Sequence, residues 1–95
     1  MSDLIVSDLV FTPSRIEERD TGLMGWIECQ LGESLRLDGI ALRRTREGRI
    51  TLGFPARKSS SGAKHYYFRP ASDRARREIE MAILGELRAS TEGIG

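Results

Sequence analysis

The sequence predicts an α+β domain: an antiparallel sheet of four to five strands, wound as a meander and packed by one C-terminal α-helix. Three observations predict it. Short apolar, β-branched segments recur up to about residue 69, separated by turns rich in Gly and Pro. No helix-length segment stands between one and the next, so parallel pairing has no crossover to use. From Ser72 onward the apolar residues recur every three to four positions, the period of an amphipathic helix. The 95 residues are read as a single domain, with the sheet over about 4–69, the helix over about 73–89 and a frayed tail at 90–95.

The first strand covers Leu4 to Thr12, with Ile5, Val6, Leu9, Val10 and Phe11, and ends at Pro13-Ser14. Glu17 to Thr21 is a charged connection, followed by Gly22. Leu23 to Leu31 is the second strand and contains Trp26, Ile27 and Cys29. Gly32-Glu33 is its hairpin turn. Leu35 to Thr45 alternates apolar and polar residues, but the period breaks at Asp38-Gly39, which predicts a bulge there. After the turn at Arg46 to Arg49, Ile50, Leu52 and Phe54 alternate cleanly and stop at Pro55.

Arg57 to Lys64, with Ser59-Ser60-Ser61-Gly62 inside it, reads as a mobile loop. His65 to Arg69 is a short fifth strand ended by Pro70. Ser72 is a suitable N-cap, and Asp73 complements the positive helix end. Ala75, Ile79, Ala82, Ile83 and Leu87 form the stripe that lies on the sheet; Gly85 sits inside the helix at a cost of about 1 kcal/mol relative to Ala. One helix covers one face of such a sheet, so the other is left for a ligand or a second subunit.

Composition narrows the function. With 31% charged and 39% hydrophobic residues, the chain is neither disordered nor membrane-spanning. Its acidic start, Met1-Ser2-Asp3-Leu4, has none of the features of a signal peptide, which predicts a cytoplasmic protein with no membrane partner. A single cysteine, Cys29, forms no internal disulfide, and with one histidine it builds no zinc site; it is expected to be a small buried hydrophobe. No metal or other cofactor is expected. His65 is flanked by Lys64 and Tyr66 with no orienting partner, and no nucleophile motif, Walker sequence or dinucleotide fingerprint is present. The chain is therefore expected not to be an enzyme and to have no small-molecule substrate.

The net charge of +1 hides a segregation. Residues 1–42 carry three Arg against eight Asp/Glu, residues 43–77 eleven Lys/Arg against two, and residues 78–95 one Arg against four Glu. A central segment of +9 between acidic flanks is the footprint of an electrostatic binding face, unless folding mixes the charges. Thirteen of the fifteen cations are Arg, which pair with phosphate and stack on bases better than Lys, although a GC-rich genome gives the same bias. The most informative stretch places Arg57, Lys58 and Lys64 before Tyr66-Tyr67-Phe68 and Arg69, followed by Arg74, Arg76 and Arg77 in the first turns of the helix. Basic side chains supply phosphate contacts and exposed rings stack on bases. Alternation sets Tyr67 against Tyr66 and Phe68, without deciding which set is core. Glu78 and Glu80 stand where they pair with these arginines.

The segment Leu35-Arg36-Leu37-Asp38-Gly39-Ile40-Ala41-Leu42, followed by Gly48-Arg49-Ile50-Thr51-Leu52-Gly53-Phe54-Pro55, resembles the two central strands and closing proline of the SpoVG family of bacterial septation and sporulation proteins. Ala56-Arg57-Lys58 stands where that family has Ser-Lys-Arg. Gly62 falls at its loop glycine, Pro70 at its proline before the helix, and Arg76, Ile79, Ala82, Leu84 and Glu86 on matching helix positions. The resemblance runs from about Val6 to Leu87. Glu78 replaces a usual lysine, the basic pair is reversed, His65-Tyr66-Tyr67 replaces a more polar stretch, and the turn at Arg46 to Arg49 is one residue longer.

The resemblance implies a homodimeric regulator of gene expression or cell division that binds DNA, or RNA, without catalysis. It implies a binding role for Arg57, Lys58 and Arg76; Lys64, Arg69, Arg74 and Arg77 join them on charge alone. The competing expectation is a protein-interaction adaptor that docks its partner along a strand edge or a dimer surface.

Overall fold

A computed structural model describes residues 5–94, with side chains as far as Ser90. It is an α+β fold. Strands β1 (Val6–Pro13), β2 (Leu23–Leu31), β3 (Leu35–Arg44) and β4 (Ile50–Gly53) form one antiparallel sheet in the order β1-β2-β3-β4. A single helical turn, α1 (Ile16–Arg19), occupies the charged connection between β1 and β2. Strands β5 (Ala56–Lys58) and β6 (Lys64–Tyr66) form a separate hairpin, and the long helix α2 (Asp73–Ile94) closes the chain.

The bulge expected at Asp38-Gly39 is present. Ile27 pairs with Ile40 and Cys29 with Leu37, so β3 carries one residue more than β2 between these pairs. Gly39 takes φ +78°, open to glycine at little cost, and its N–H is held by the Asp38 carboxylate at 2.7 Å. The bulge lets Leu37 and Ile40, three apart, both face the core. A second bulge, unannounced by the sequence, lies in β1 between Ser7 and Val10, where Asp8 adopts φ +48°. A short polar side chain tolerates that conformation.

Ile27, Cys29, Ile40, Leu42 and Leu52 are fully buried on one face of the sheet, joined there by Val6, Leu37 and Phe54. The helix covers this face. Ile83 is completely buried there, and Ile79, Ala82, Leu84 and Leu87 pack around it. Full burial of such a side chain contributes about 1.5–3 kcal/mol. Ser72 caps the helix as expected, its Oγ accepting the Ala75 N–H at 3.1 Å.

Three expectations need correction. Residues 57–64 are not a mobile loop: β5 and β6 pair across a tight turn in which the Ser59 N–H donates to the Ala63 carbonyl and Gly62 takes φ +87°. The strand expected at His65–Arg69 is accordingly β6 at Lys64–Tyr66, and it pairs with β5 outside the main sheet. The helix runs on through the expected tail to Ile94, since nothing between Ala89 and Glu92 breaks it. Leu4 and Gly95, expected at the ends of the first strand and the tail, lie outside the described residues. No helix among the described residues is long and apolar enough to cross a membrane.

Candidate nucleic-acid interface

The β5–β6 hairpin is built to present charge. Its cross-strand pairs are Ala56 with Tyr66, Arg57 with His65, and Lys58 with Lys64. Alternation therefore puts Lys58, Lys64 and Tyr66 on one side and Arg57 with His65 on the other. Two lysines directly opposite each other destabilise a strand pair. No ion pair is recorded for either lysine among the described residues. The hairpin contributes no residue to the buried core, and both Tyr66 and Tyr67 are exposed.

Tyr66 is the centre of the arrangement. Lys64 Nζ lies 5.0 Å from its ring centroid and the Arg69 guanidinium 5.7 Å from it. Such distances are those of cation–π contacts. Of the three aromatics in a row, Phe68 alone turns inward, packing edge-on to Phe54 at 6.1 Å between centroids. The strand ends at Tyr66, so simple alternation no longer governs the next two residues. The Tyr67 N–H bonds to the Pro55 carbonyl at 2.9 Å and leaves its ring in solvent.

Beside Tyr66 a cleft of about 330 Å³ opens between the hairpin and the start of α2. Lys64, Tyr66 and Arg69 form one wall, Pro70 to Asp73 with Arg76 the other, and Gly53 at the end of β4 lines the cleft together with Phe54 just beyond. The helix N-terminus thus faces the same space as the cations and adds partial positive charge to it. Asp73 is the one carboxylate lining the cleft, which favours the Lys64–Arg69 side for an anion.

The expected site residues separate into groups. Lys64 and Arg69 meet at Tyr66, and Lys58 shares their side of the hairpin. Arg57 lies on the opposite side. Arg74 is exposed and ion-pairs with Glu78 at 3.5 Å, and Arg77 is exposed on the helix outside the cleft. Arg76 reaches the cleft, but its guanidinium is engaged within the fold. Nη2 donates to the Leu52 carbonyl at 2.7 Å, Nε lies 3.4 Å from Glu80, and the group sits 5.6 Å over the Phe54 ring.

The basic segment does not fold into one patch. Strand β4 carries the chain away from the β3–β4 turn, so Arg44, Arg46 and Arg49 lie at the end of the sheet opposite the hairpin, while the Arg43 side chain reaches back to Gly53. Arg44 and Arg46 there meet Arg19 from the end of α1 around a wider cleft of about 590 Å³ that also includes Asp20. Gly22 fixes this corner. It takes φ +93°, and a Cβ there would stand 2.5 Å from the Arg44 carbonyl oxygen. Sequence reading missed this second cluster because Arg19 lies in the acidic segment 1–42, apart from the basic one.

Cys29 is buried, and burial raises its thiol pKa, with Glu28 adding to the effect and Arg36 opposing it. His65 is exposed on the hairpin. Among the described residues, no three His, Cys, Asp or Glu side chains are grouped to hold a metal ion. No protein-family model matches the chain, and no curated protein is similar to it in sequence.

Proposed function

We propose that this protein is a non-catalytic nucleic-acid-binding regulator of the SpoVG type, acting in the bacterial cytoplasm as a homodimer. It holds DNA or RNA against the β5–β6 hairpin and the start of α2. The observation that carries the reading is the Tyr66 cluster: an exposed ring with Lys64 and Arg69 against it, beside a cleft at a helix N-terminus. The cations supply phosphate contacts and the ring a stacking surface, the two components of sequence-tolerant binding. The opposed Lys58 and Lys64 support it further, since their repulsion is relieved by a bound anion.

The test is fluorescence anisotropy with labelled single- and double-stranded DNA and RNA at low and moderate salt. Binding is expected to weaken steeply with salt. Lys58→Ala with Lys64→Ala is expected to lower the slope of log K against log salt by roughly 1.4–1.8, the share of two phosphate contacts. An unchanged slope in the double variant removes the hairpin from the interface. No binding of any of the four polymers at low salt overturns the reading and leaves the adaptor.

A further inference from the structure

The face of the sheet turned away from α2 carries a row of residues that leads out of the Tyr66 cleft. Strand register sets Thr12 beside Trp26, Trp26 beside Ala41, and Ala41 beside Gly53. Gly53 is also part of the cleft lining. Ala41 and Gly53 offer only a methyl group and a hydrogen over the two strand spacings between the cleft and Trp26, about 9–10 Å, yet Ala41 is only 6% exposed, so neighbouring side chains cover this part of the row. Trp26 stands at its far end, 40% exposed, although large aromatic side chains are usually well buried. Arg43 is one of the covering side chains: its Nε lies 4.0 Å from where a Gly53 Cβ would be, so its side chain occupies the space that Gly53 leaves.

From this we infer that the open sheet face binds a single-stranded nucleic acid, which runs from the Tyr66 cleft over Arg43 and stacks a base on Trp26, with Arg43 contacting the intervening phosphate. The inference rests on the proposed function and extends it to a substrate class and two further residues. A single strand fits because its bases are free to meet Tyr66 and Trp26 at separate points, whereas a duplex keeps its bases stacked on one another. Smallness at Gly53 then has a use, since a larger side chain there would meet Arg43 and push it from this position.

A second copy of this chain is the competing occupant of the face. Its apolar part is small, essentially Trp26 and Val10, and is bounded by Arg43 and by the Arg36–Glu28 ion pair at 2.7 Å. A stable interface needs about 800 Å² from each partner. The charge continuing from Arg43 to Lys64 and Arg69 suits a polyanion better than a copy of itself.

Trp26 is the only tryptophan, so intrinsic fluorescence reports this one position. The experiment titrates the protein with a labelled twelve-nucleotide single strand of dT and with a duplex of equal length, reading label anisotropy and tryptophan emission together. The expected result is an anisotropy rise with quenching of Trp26 by the single strand. Trp26→Ala is expected to weaken single-strand binding roughly five- to fiftyfold, Trp26→Phe to restore part of it, and both to leave duplex binding unchanged. Binding without any change in Trp26 emission, and with unaltered affinity in Trp26→Ala, overturns the inference and leaves the proposed function standing. Absence of any anisotropy change at low salt is the distinct failure of that function, and the inference falls with it. Emission that shifts with protein concentration alone, with Trp26→Ala converting a dimer to a monomer in sedimentation, assigns the face to a second copy and also overturns it.

Discussion

Arg76→Ala separates a structural arginine from a binding one. Strand β4 is an edge strand, and Leu52 turns its backbone N–H and carbonyl away from β3. Both groups are met by α2: the Leu52 N–H donates to Glu80 Oε2 at 3.2 Å and the carbonyl accepts from Arg76 Nη2 at 2.7 Å. Arg76 and Glu80 lie one helical turn apart and pair with each other at 3.4 Å. The helix therefore closes the β4 edge with side chains where a further strand would otherwise bond, which also guards against edge-to-edge association.

The size of the effect follows from these contacts. A hydrogen bond from a charged group contributes about 1.5–3 kcal/mol net, and the half-exposed Arg76 side chain places it at the low end. The contact with Phe54 adds about 0.5 kcal/mol, and the ion pair little more because solvent screens it. Arg76→Ala is expected to cost about 2 kcal/mol in all, a fall in Tm of roughly 8–16 °C for a domain of this size. Arg77→Ala, at the exposed neighbouring position, is expected to stay within about 0.5 kcal/mol of the parent. Urea unfolding followed by circular dichroism measures both, and nucleic-acid affinity is measured well below either midpoint. A Tm for Arg76→Ala within about 2 °C of the parent, combined with lost affinity, refutes the argument and returns Arg76 to the binding role that the SpoVG resemblance implies.

Gly25→Ala is expected to destabilise by about 2–3 kcal/mol, the cost of overpacking a rigid site: its Cβ would stand 2.5 Å from the Thr12 carbonyl oxygen as well as from the Phe11 ring. An unchanged denaturation midpoint would contradict the packing of β1 on β2. The raised Cys29 pKa predicts alkaline sensitivity. The folded state keeps the thiol proton after the unfolded chain has released it, so this contribution is complete below the unfolded value near about 8.5 and declines as pH rises through the folded value. Midpoints at pH 7.5 and 9.5, roughly one unit either side of that value, are expected to fall more for the parent than for Cys29→Ala; equal falls would show that the thiol is not protected by burial.

The sheet was legible because its information is local. Ile50, Leu52 and Phe54 alternate and are bordered by Gly48 and Pro55; Ile50 and Leu52 become β4 with its apolar side inward, and Phe54 follows directly after its last residue, Gly53. Asp38-Gly39 was legible for the same reason, since one extra residue in an alternating run has only a bulge to occupy. The hairpin was not. Three-residue strands are too short to show a period, and β5 and β6 bury no apolar face that would write one into the sequence. Their order comes from backbone pairing and from the Ser59 to Ala63 turn, to which hydrophobic patterning is blind.

The binding residues were legible as chemistry but not as geometry. A run of +9 in sequence becomes two clusters because a strand is a displacement: four residues of β4 carry the chain about 13 Å, far enough to put the β3–β4 turn and the hairpin at opposite ends of the sheet. Arg76 was read as part of the patch on charge and resemblance, yet the same charge makes it suited to a backbone carbonyl on an edge strand. Trp26 was placed in the second strand without a side. Its exposure follows from register: Ile27 and Cys29 fill the core side of β2, and the intervening parity sends Trp26 to the open face. Once Ile27 is fixed inward, an indole at position 26 must face away from α2, and the small residues beside it on β3 and β4 leave it 40% exposed with Arg43 as its charged neighbour on that face.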